Sequence, residues 1–225
     1  MLNHILAVTG IDREARAAAQ CEKVLSLAGG GNSIRLEDSL RRIMQGNTIS
    51  GLVSFGLAGA LDPDLKVGDW VVGTHLTGSF EADCNSEWQA SLEKAFPNLK
   101  KGIFYSDGSL VSDIGQKKQI QEKEKAIAVD MESHIVARIA EEYHCPFIIL
   151  RVISDQADHM LPPAFSVAMQ PDGSIAIPAL LKSLLCRPSQ LPAFVTTARA
   201  ATKALKELGR VAFIFGGSLG FPDFS

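Results

Sequence analysis

The sequence predicts a single α/β domain with helices on both faces of a sheet. Three observations carry this prediction. Short apolar runs alternate with longer amphipathic or charged stretches over the first two-thirds of the chain. Glycines close several of those runs, at Gly10, at the triplet Gly29-Gly30-Gly31 and in the turn-like string GLAGAL. The run from Phe147 to Ile153 is continuously apolar except for Arg151, which implies a strand covered on both faces.

Taken in order, His4 to Thr9 reads as a buried first strand. Asp12 to Glu22, rich in Ala and Arg, reads as a helix with Asp12 near its N-cap. Val24 to Ala28 is a second strand. Ile34 to Met44 has helical spacing in Ile34, Leu36, Leu40, Ile43 and Met44. Leu52 to Phe55 is a third strand ending in the glycine-bearing turn, DPDLKVGD is a loop, and Trp70 to Val72 returns as a strand. Residues 76 to 86 show no strong pattern. Ile103 to Tyr105 and Ala126 to Val129 are short strands. The charged stretch between them, Ile114 to Lys125, reads as a solvated helix surface rather than a recognition face. Glu132 to Tyr143 carries Ile135, Val136, Ile139 and Ala140 on one helical face. The last third, from about 162 to 210, looks mostly helical and belongs to the same domain, 1–225. Its apolar residues Leu161, Phe165, Val167, Met169, Leu180, Leu181, Leu184, Leu185, Leu191 and Phe194, with VAFIF at 211–215, read as core. The sharper alternative is that part of this set lines an entrance for a lipid.

Composition narrows the function classes. Of 225 residues, 46% are hydrophobic and 21% charged, enough for a sizeable core and unlike a disordered chain. The net charge of −3 argues against a general nucleic-acid binder. No apolar run reaches the length of a membrane span, and MLNHILAVTG reads as a first strand rather than a secretory signal. Cys21, Cys84, Cys145 and Cys186 are far apart, so neither a zinc site nor a disulfide framework is indicated, and a reducing cytoplasm is the expected location.

Four segments end strands with unusual residues: TGIDREAR (9–16), SFGLAGAL (54–61), VDMESH (129–134) and RVISDQAD (151–158). Ligands of open α/β sheets bind at such ends. In the first segment, Arg13 and Arg16 could grip phosphate beside helix N-terminal amides, or they are surface arginines of an amphipathic helix. The GGG turn lacks the Lys-Ser/Thr of a P-loop, and its glycines miss the dinucleotide fingerprint, which disfavours a redox enzyme. Asp130 and Glu132 either cap a helix or accept hydrogen bonds from a vicinal diol such as ribose. Asp155 either caps a loop or is a partly buried acid able to donate a proton.

Together, GLAGALDPDLKVGDWVV, AVDMESH and LRVISDQADHMLPPA, followed by a late QLP, resemble the nucleoside phosphorylase and nucleosidase superfamily. Within it they are most similar to the hopanoid-associated phosphorylase branch. The resemblance implies a three-layer α/β/α fold around a mixed, partly barrel-like central sheet. It also implies cleavage of the N-glycosidic bond of a nucleoside. By matching motifs, Asp155 is the acid at the purine N7, preceded by Ser154. Glu132 binds the ribose hydroxyls with Met131 beside the sugar, Ala58 and Gly59 line base and sugar, and Leu110 and Val111 lie beside the base. Gly10 and the arginines after it match the phosphate loop. The implied partner is a small-molecule nucleoside, lipid-linked in the hopanoid branch, with no metal or organic cofactor and with inorganic phosphate as co-substrate of a phosphorylase. The family commonly forms homo-oligomers.

These residue types suit the chemistry. Departure of a purine leaves an oxocarbenium-like sugar and negative charge on the base, so an acid at the base edge and a carboxylate on the ribose both help. Two departures leave the nucleophile open. Leu57 stands where many members carry Ser or Thr, and Glu14 falls where the nucleosidases carry a water-activating glutamate. Ser54 and the Gly29–Gly31 turn are candidate replacement donors. Arg13 and Arg16, three residues apart, share one helical face, whereas Glu14 points about 100° away from Arg13. The expectation is therefore that the arginines face the site and Glu14 does not. Phosphorolysis of adenosylhopane is then the expected activity. Hydrolysis of methylthioadenosine or adenosylhomocysteine, and a nucleoside-binding protein without catalysis, are the alternatives.

Overall fold

The computed structural model describes residues 4–30, 32–162, 186 and 190–222, and every structural statement below refers to them. Eight strands and seven helices are described: β1 (His4–Thr9), α1 (Asp12–Ala18), β2 (Val24–Ala28), α2 (Ser33–Gly46), β3 (Ile49–Ala60), β4 (Trp70–Gly78), β5 (Ala82–Asp83), α3 (Ser86–Ala95), β6 (Lys100–Ser106), α4 (Ile114–Glu124), β7 (Ala126–Asp130), α5 (Ser133–Glu142), β8 (Phe147–Asp155), α6 (Leu191–Leu208) and α7 (Val211–Phe215). No described helix is long and apolar enough to cross a membrane.

The strands form one mixed sheet in the order β2-β1-β3-β7-β6-β4-β5, with β8 pairing both β3 and β4. That double pairing closes a ring through β3, β8, β4, β6 and β7, to which β1 and β2 are appended on the outer edge of β3. Strand β8 is parallel to β3 from Leu52↔Phe147 onward and antiparallel to β4 at Trp70↔Val152. Burial on both faces explains its nearly unbroken apolar sequence. Chain direction sets the layers. The crossover from β1 runs outward to β2 and the next returns to β3, so right-handed connections put α1 and α2 on opposite faces. Helix α2 packs on α5, and α1 packs on α6 and α7. The outcome is the expected three-layer α/β/α architecture with a mixed, partly barrel-like sheet.

Several boundaries differ from the sequence reading. The string GLAGA is not a turn but the second half of the twelve-residue β3. Its Leu57, Ala58 and Gly59 pair with Val152, Ile153 and Asp155, and Gly59 and Ala60 pair in addition with β7. Residues 76–78 extend β4, and Ala82–Asp83 pair back on it as β5. Helix α3 was not legible, because only Trp88 and Leu92 mark its buried face. Asn85 caps it by accepting from the Trp88 N–H at 2.8 Å. Helix α1 ends four residues earlier than expected, and Ile11 rather than Asp12 is its N-cap.

The core runs between the layers. Trp70 meets Phe215 edge to face with ring centroids 5.0 Å apart, and Trp88 meets Phe221 likewise at 4.8 Å. The Trp88 indole N–H donates to the Leu219 carbonyl at 2.8 Å, tying the C-terminal tail to α3. Of the apolar C-terminal set, Phe165, Val167, Met169, Leu180, Leu181, Leu184 and Leu185 lie outside the described residues.

Candidate active site

Two polar clusters sit in the otherwise apolar centre, at either end of the segment where β3 pairs with the last residues of β8. The first gathers around Arg151, whose side chain is 1% exposed. A guanidinium buried in a strand must find anions and acceptors. Its Nε lies 3.3 Å from Asp130 Oδ2, and its terminal nitrogens donate to Glu132 Oε2 at 3.3 Å, Ser54 Oγ at 2.6 Å and the Leu57 carbonyl at 3.2 Å. Asp130 ends β7 and caps α5, accepting from the N–H groups of Glu132 and Ser133 at 3.1 and 2.8 Å. The Ser133 hydroxyl donates to Asp130 Oδ2 and lies 2.8 Å from the Ser54 hydroxyl.

Glu14 completes this cluster from α1. Its Oε2 accepts from the Gly10 and Ile11 amides at 2.8 and 3.0 Å, and its Oε1 accepts from the Leu57 amide at 2.8 Å. The carboxylate thus stitches the end of β1 to the middle of β3. It fits because residue 56 is glycine. Gly56 has φ +143°, and a Cβ there would stand 2.6 Å from the Glu14 carboxyl carbon. Glu132 converges on the same place, since a Cβ on Gly10 would meet Glu132 Oε1 at 3.1 Å and Glu14 Oε2 at 3.4 Å. Burial pushes the Glu14 carboxyl above its ordinary range, while Arg151 and the three amides pull it back. Burial likewise raises Glu132, to about 7, opposed by Arg151 and assisted by the charges of Asp130 and Glu14.

The second cluster lies four residues further along β8, about 13 Å in an extended strand. Asp155 is buried over Gly59. Its Oδ1 accepts from the Ser154 hydroxyl at 2.9 Å, and its Oδ2 accepts from Lys117 Nζ at 2.5 Å. The Ser154 hydroxyl also lies 3.2 Å from the Ala58 carbonyl. On the Glu132 side, Met131 and Glu132 line a small cleft with Asn32, Ser33 and Gly108.

Most sequence-selected residues therefore meet here: Gly10, Glu14, Met131 and Glu132 around one cluster, and Ala58, Gly59, Ser154 and Asp155 around the other. Three expectations are corrected. Arg13 and Arg16 are exposed and Glu14 is buried, the reverse of the orientation expected from helical spacing. The reason is the start of α1, where the Glu14 side chain turns back to bond the Gly10 and Ile11 amides. Ser54, Gly29 and Gly30 are not spare anion donors, and Gly31 lies outside the described residues. Ser54 is held in the Arg151 network, and the Gly29 and Gly30 amides donate to the Thr9 and Gly10 carbonyls at 2.7 and 3.0 Å. Asp155 is not an isolated acid but half of an ion pair. Leu110 is half-buried, and Val111 packs into a satellite cluster with Leu61, Ala126 and Val129.

Two site residues escaped the sequence reading. Arg151 was legible as the one charge in an apolar strand, a placement that demands partners. Lys117 was hidden among exposed charges, although its spacing of three from Ile120, which packs inward, put both on one face of α4.

A family model described as the phosphorylase superfamily matches residues 38–185, more than half of the chain. A 5′-methylthioadenosine/S-adenosylhomocysteine nucleosidase of Staphylococcus carnosus is 27% identical over 162 residues, covering 61% of this chain and 70% of that one. Among solved structures, the nucleosidase of the same name from Helicobacter pylori, with butyl-thio-DADMe-Immucillin-A, superposes with a TM-score of 0.67 at 17% identity, over 92% of this chain and 97% of that one. Futalosine hydrolase of Helicobacter pylori does so with a TM-score of 0.67 at 16% identity, over 92% and 96%. At these identities the structural matches speak to the fold.

Proposed function

Because this chain belongs to the phosphorylase superfamily, we propose that it is an enzyme cleaving the N-glycosidic bond of an adenine nucleoside, with water as the nucleophile. The observation that carries the choice of water is the Glu14 carboxylate on the amides of Gly10, Ile11 and Leu57. A phosphate bound at the end of β1 needs such donors, and here a built-in anion occupies them. Arg13 and Arg16, the cations expected to hold phosphate, point to solvent. Phosphate dependence, expected from the hopanoid resemblance, finds no support at this site, and most of the residues expected to line a lipid entrance lie outside the described residues. The names of the three similar proteins given above, two nucleosidases and a hydrolase, agree with hydrolysis.

In this reading Glu14 is the general base. Burial raises its proton affinity, which suits a base working near neutral pH. Glu132 accepts hydrogen bonds from the ribose hydroxyls. Arg151 holds Glu132 and Asp130 in place and balances part of their charge, and the remaining negative potential favours a cationic sugar. Asp155 serves the departing base. Water adds its oxygen to C1′ and gives a proton to Glu14, the C1′–N9 electron pair stays with the base, and the base takes up a proton.

The test is adenine release from 5′-methylthioadenosine, measured with and without inorganic phosphate. The expected outcome is equal rates and a free pentose product. A rate that requires phosphate, with a pentose 1-phosphate formed, would overturn the hydrolytic reading.

A further inference from the structure

Lys117 lies on a helix whose Lys118 and Lys123 are 72% and 82% exposed, yet its own side chain is 1% exposed. Its three N–H bonds are all committed: to Asp155 Oδ2 at 2.5 Å, to the Gln156 carbonyl at 2.9 Å and to the His159 carbonyl at 3.1 Å. A buried ion pair is poor insurance for stability, because an apolar pair of similar volume often does as well. Its place beside the base-serving carboxylate offers another reason for it. We propose that Lys117 is a positioning residue for glycosidic cleavage, which aims Asp155 and stores the proton that Asp155 passes to the departing base. The proposal rests on the reading of this site as a nucleoside-cleaving one.

The donor geometry suits both states of such a store. As an ammonium, Lys117 gives three bonds to three acceptors. After one proton moves to Asp155 Oδ2, the neutral amine still gives two bonds to the two carbonyls. Its lone pair then accepts from the new carboxyl O–H. No hydrogen bond is lost, and two buried opposite charges become none. The Ser154 hydroxyl holds Oδ1 throughout.

The step balances as follows. The C1′–N9 electron pair goes to the base, the Asp155 O–H bond breaks, and an N–H bond forms on the base. Asp155 is again a carboxylate, and Lys117 is a neutral amine. On product release Glu14 loses to solvent the proton it took from water, and Lys117 regains one from solvent. The sum is nucleoside plus water giving base plus pentose.

The experiment measures adenine release from saturating 5′-methylthioadenosine by the parent chain, K117R, D155N and the double variant K117M/D155N. Arginine keeps the buried charge but does not surrender a proton. K117R should therefore stay folded and lose ~10²–10³-fold in kcat, the scale of general acid catalysis, with KM within about threefold. The double variant leaves no unpaired buried charge. It should match D155N within about twofold, because Lys117 acts only through Asp155. A parental rate in K117R, or a further tenfold loss on adding K117M to D155N, would overturn the role of Lys117. The double variant decides the point even if the larger guanidinium disturbs the site. No adenine release by the parent would remove the nucleosidase reading itself, whereas a fast parent with a fast K117R removes only the lysine.

Discussion

Glu14 does two jobs that a single substitution separates from one another. It ties the Gly10 and Ile11 amides at the end of β1 to the Leu57 amide of β3, and in the proposed mechanism it accepts a proton from water. In Glu14→Gln one amide hydrogen bond must be replaced by a donor facing a donor, a loss of about 1–3 kcal/mol. Denaturant titration should register that cost, while kcat falls by ~10²–10⁴ with KM little changed. Glu132 carries a pH signature. Burial raises it to about 7, and in the proposed mechanism its ionised form is the one that accepts the ribose hydroxyls. kcat/KM should therefore fall on the acid side of about pH 7, and Glu132→Gln should remove that limb along with most of the activity. The stability effect has the opposite sense. The folded chain holds the Glu132 proton up to about pH 7, whereas the unfolded chain loses it near its ordinary value of 4.5. The stabilisation is complete below the unfolded value and disappears as pH rises through 7. Melting temperatures of Glu132→Gln should accordingly show a flatter pH dependence between those limits than the parent.

At the scale of elements, β3 is the piece on which the site is assembled. It pairs with β1 through Ser54, with β8 along most of its length and with β7 at Gly59 and Ala60, so one strand serves both the appended strands and the closed ring. Gly56→Ala places a side chain at a strained φ, costing about 1–3 kcal/mol, and drives its Cβ into the Glu14 carboxylate. The variant should unfold at lower urea than the parent and lose activity to about the level of Glu14→Gln. A stable, active alanine variant would show that Glu14 does not occupy this place. The sequence announced the glycines but not the strand. GLAGA has the composition of a turn, and only pairing on two sides keeps it extended. Helix α5 illustrates the converse. Its apolar face was legible from Ile135, Val136, Ile139 and Ala140, and with it the placement of Glu132 at its start.

For the whole molecule, the last described residues brace the start of β3. Phe221 stacks edge-on against Trp88, and both rings press on Gly51 at the start of β3, where a Cβ would come within 2.7 Å of each. Phe221→Ala should cost about 1–2 kcal/mol, since the ring is only half-buried. For a chain of this size that lowers Tm by about 2–8 °C. Activity at 25 °C should be untouched, because the tail lies at the end of β3 away from the polar clusters. Calorimetry and a turnover assay on the same preparation would separate the two effects.

Local chemistry was enough to place the alternation of strands and helices, the continuous burial of β8, the capping role of Asp130 and the gathering of strand ends that carry Gly10, Glu132 and Asp155. These follow from periodicity, composition and strand-end position, which a linear string contains. The direction in which Glu14 points was decided only in three dimensions. A helical wheel sets the angle between Glu14 and the arginines, but amides on β1 and β3 decide which of them turns inward. The same holds for Lys117, one lysine among several until β8 brings Asp155 and two carbonyls to it. The proposed choice of water over phosphate rests on the Glu14 contacts, because charge and hydrogen-bond satisfaction are properties of neighbours in space, and residue 14 meets 57, as 117 meets 155, only in the folded chain.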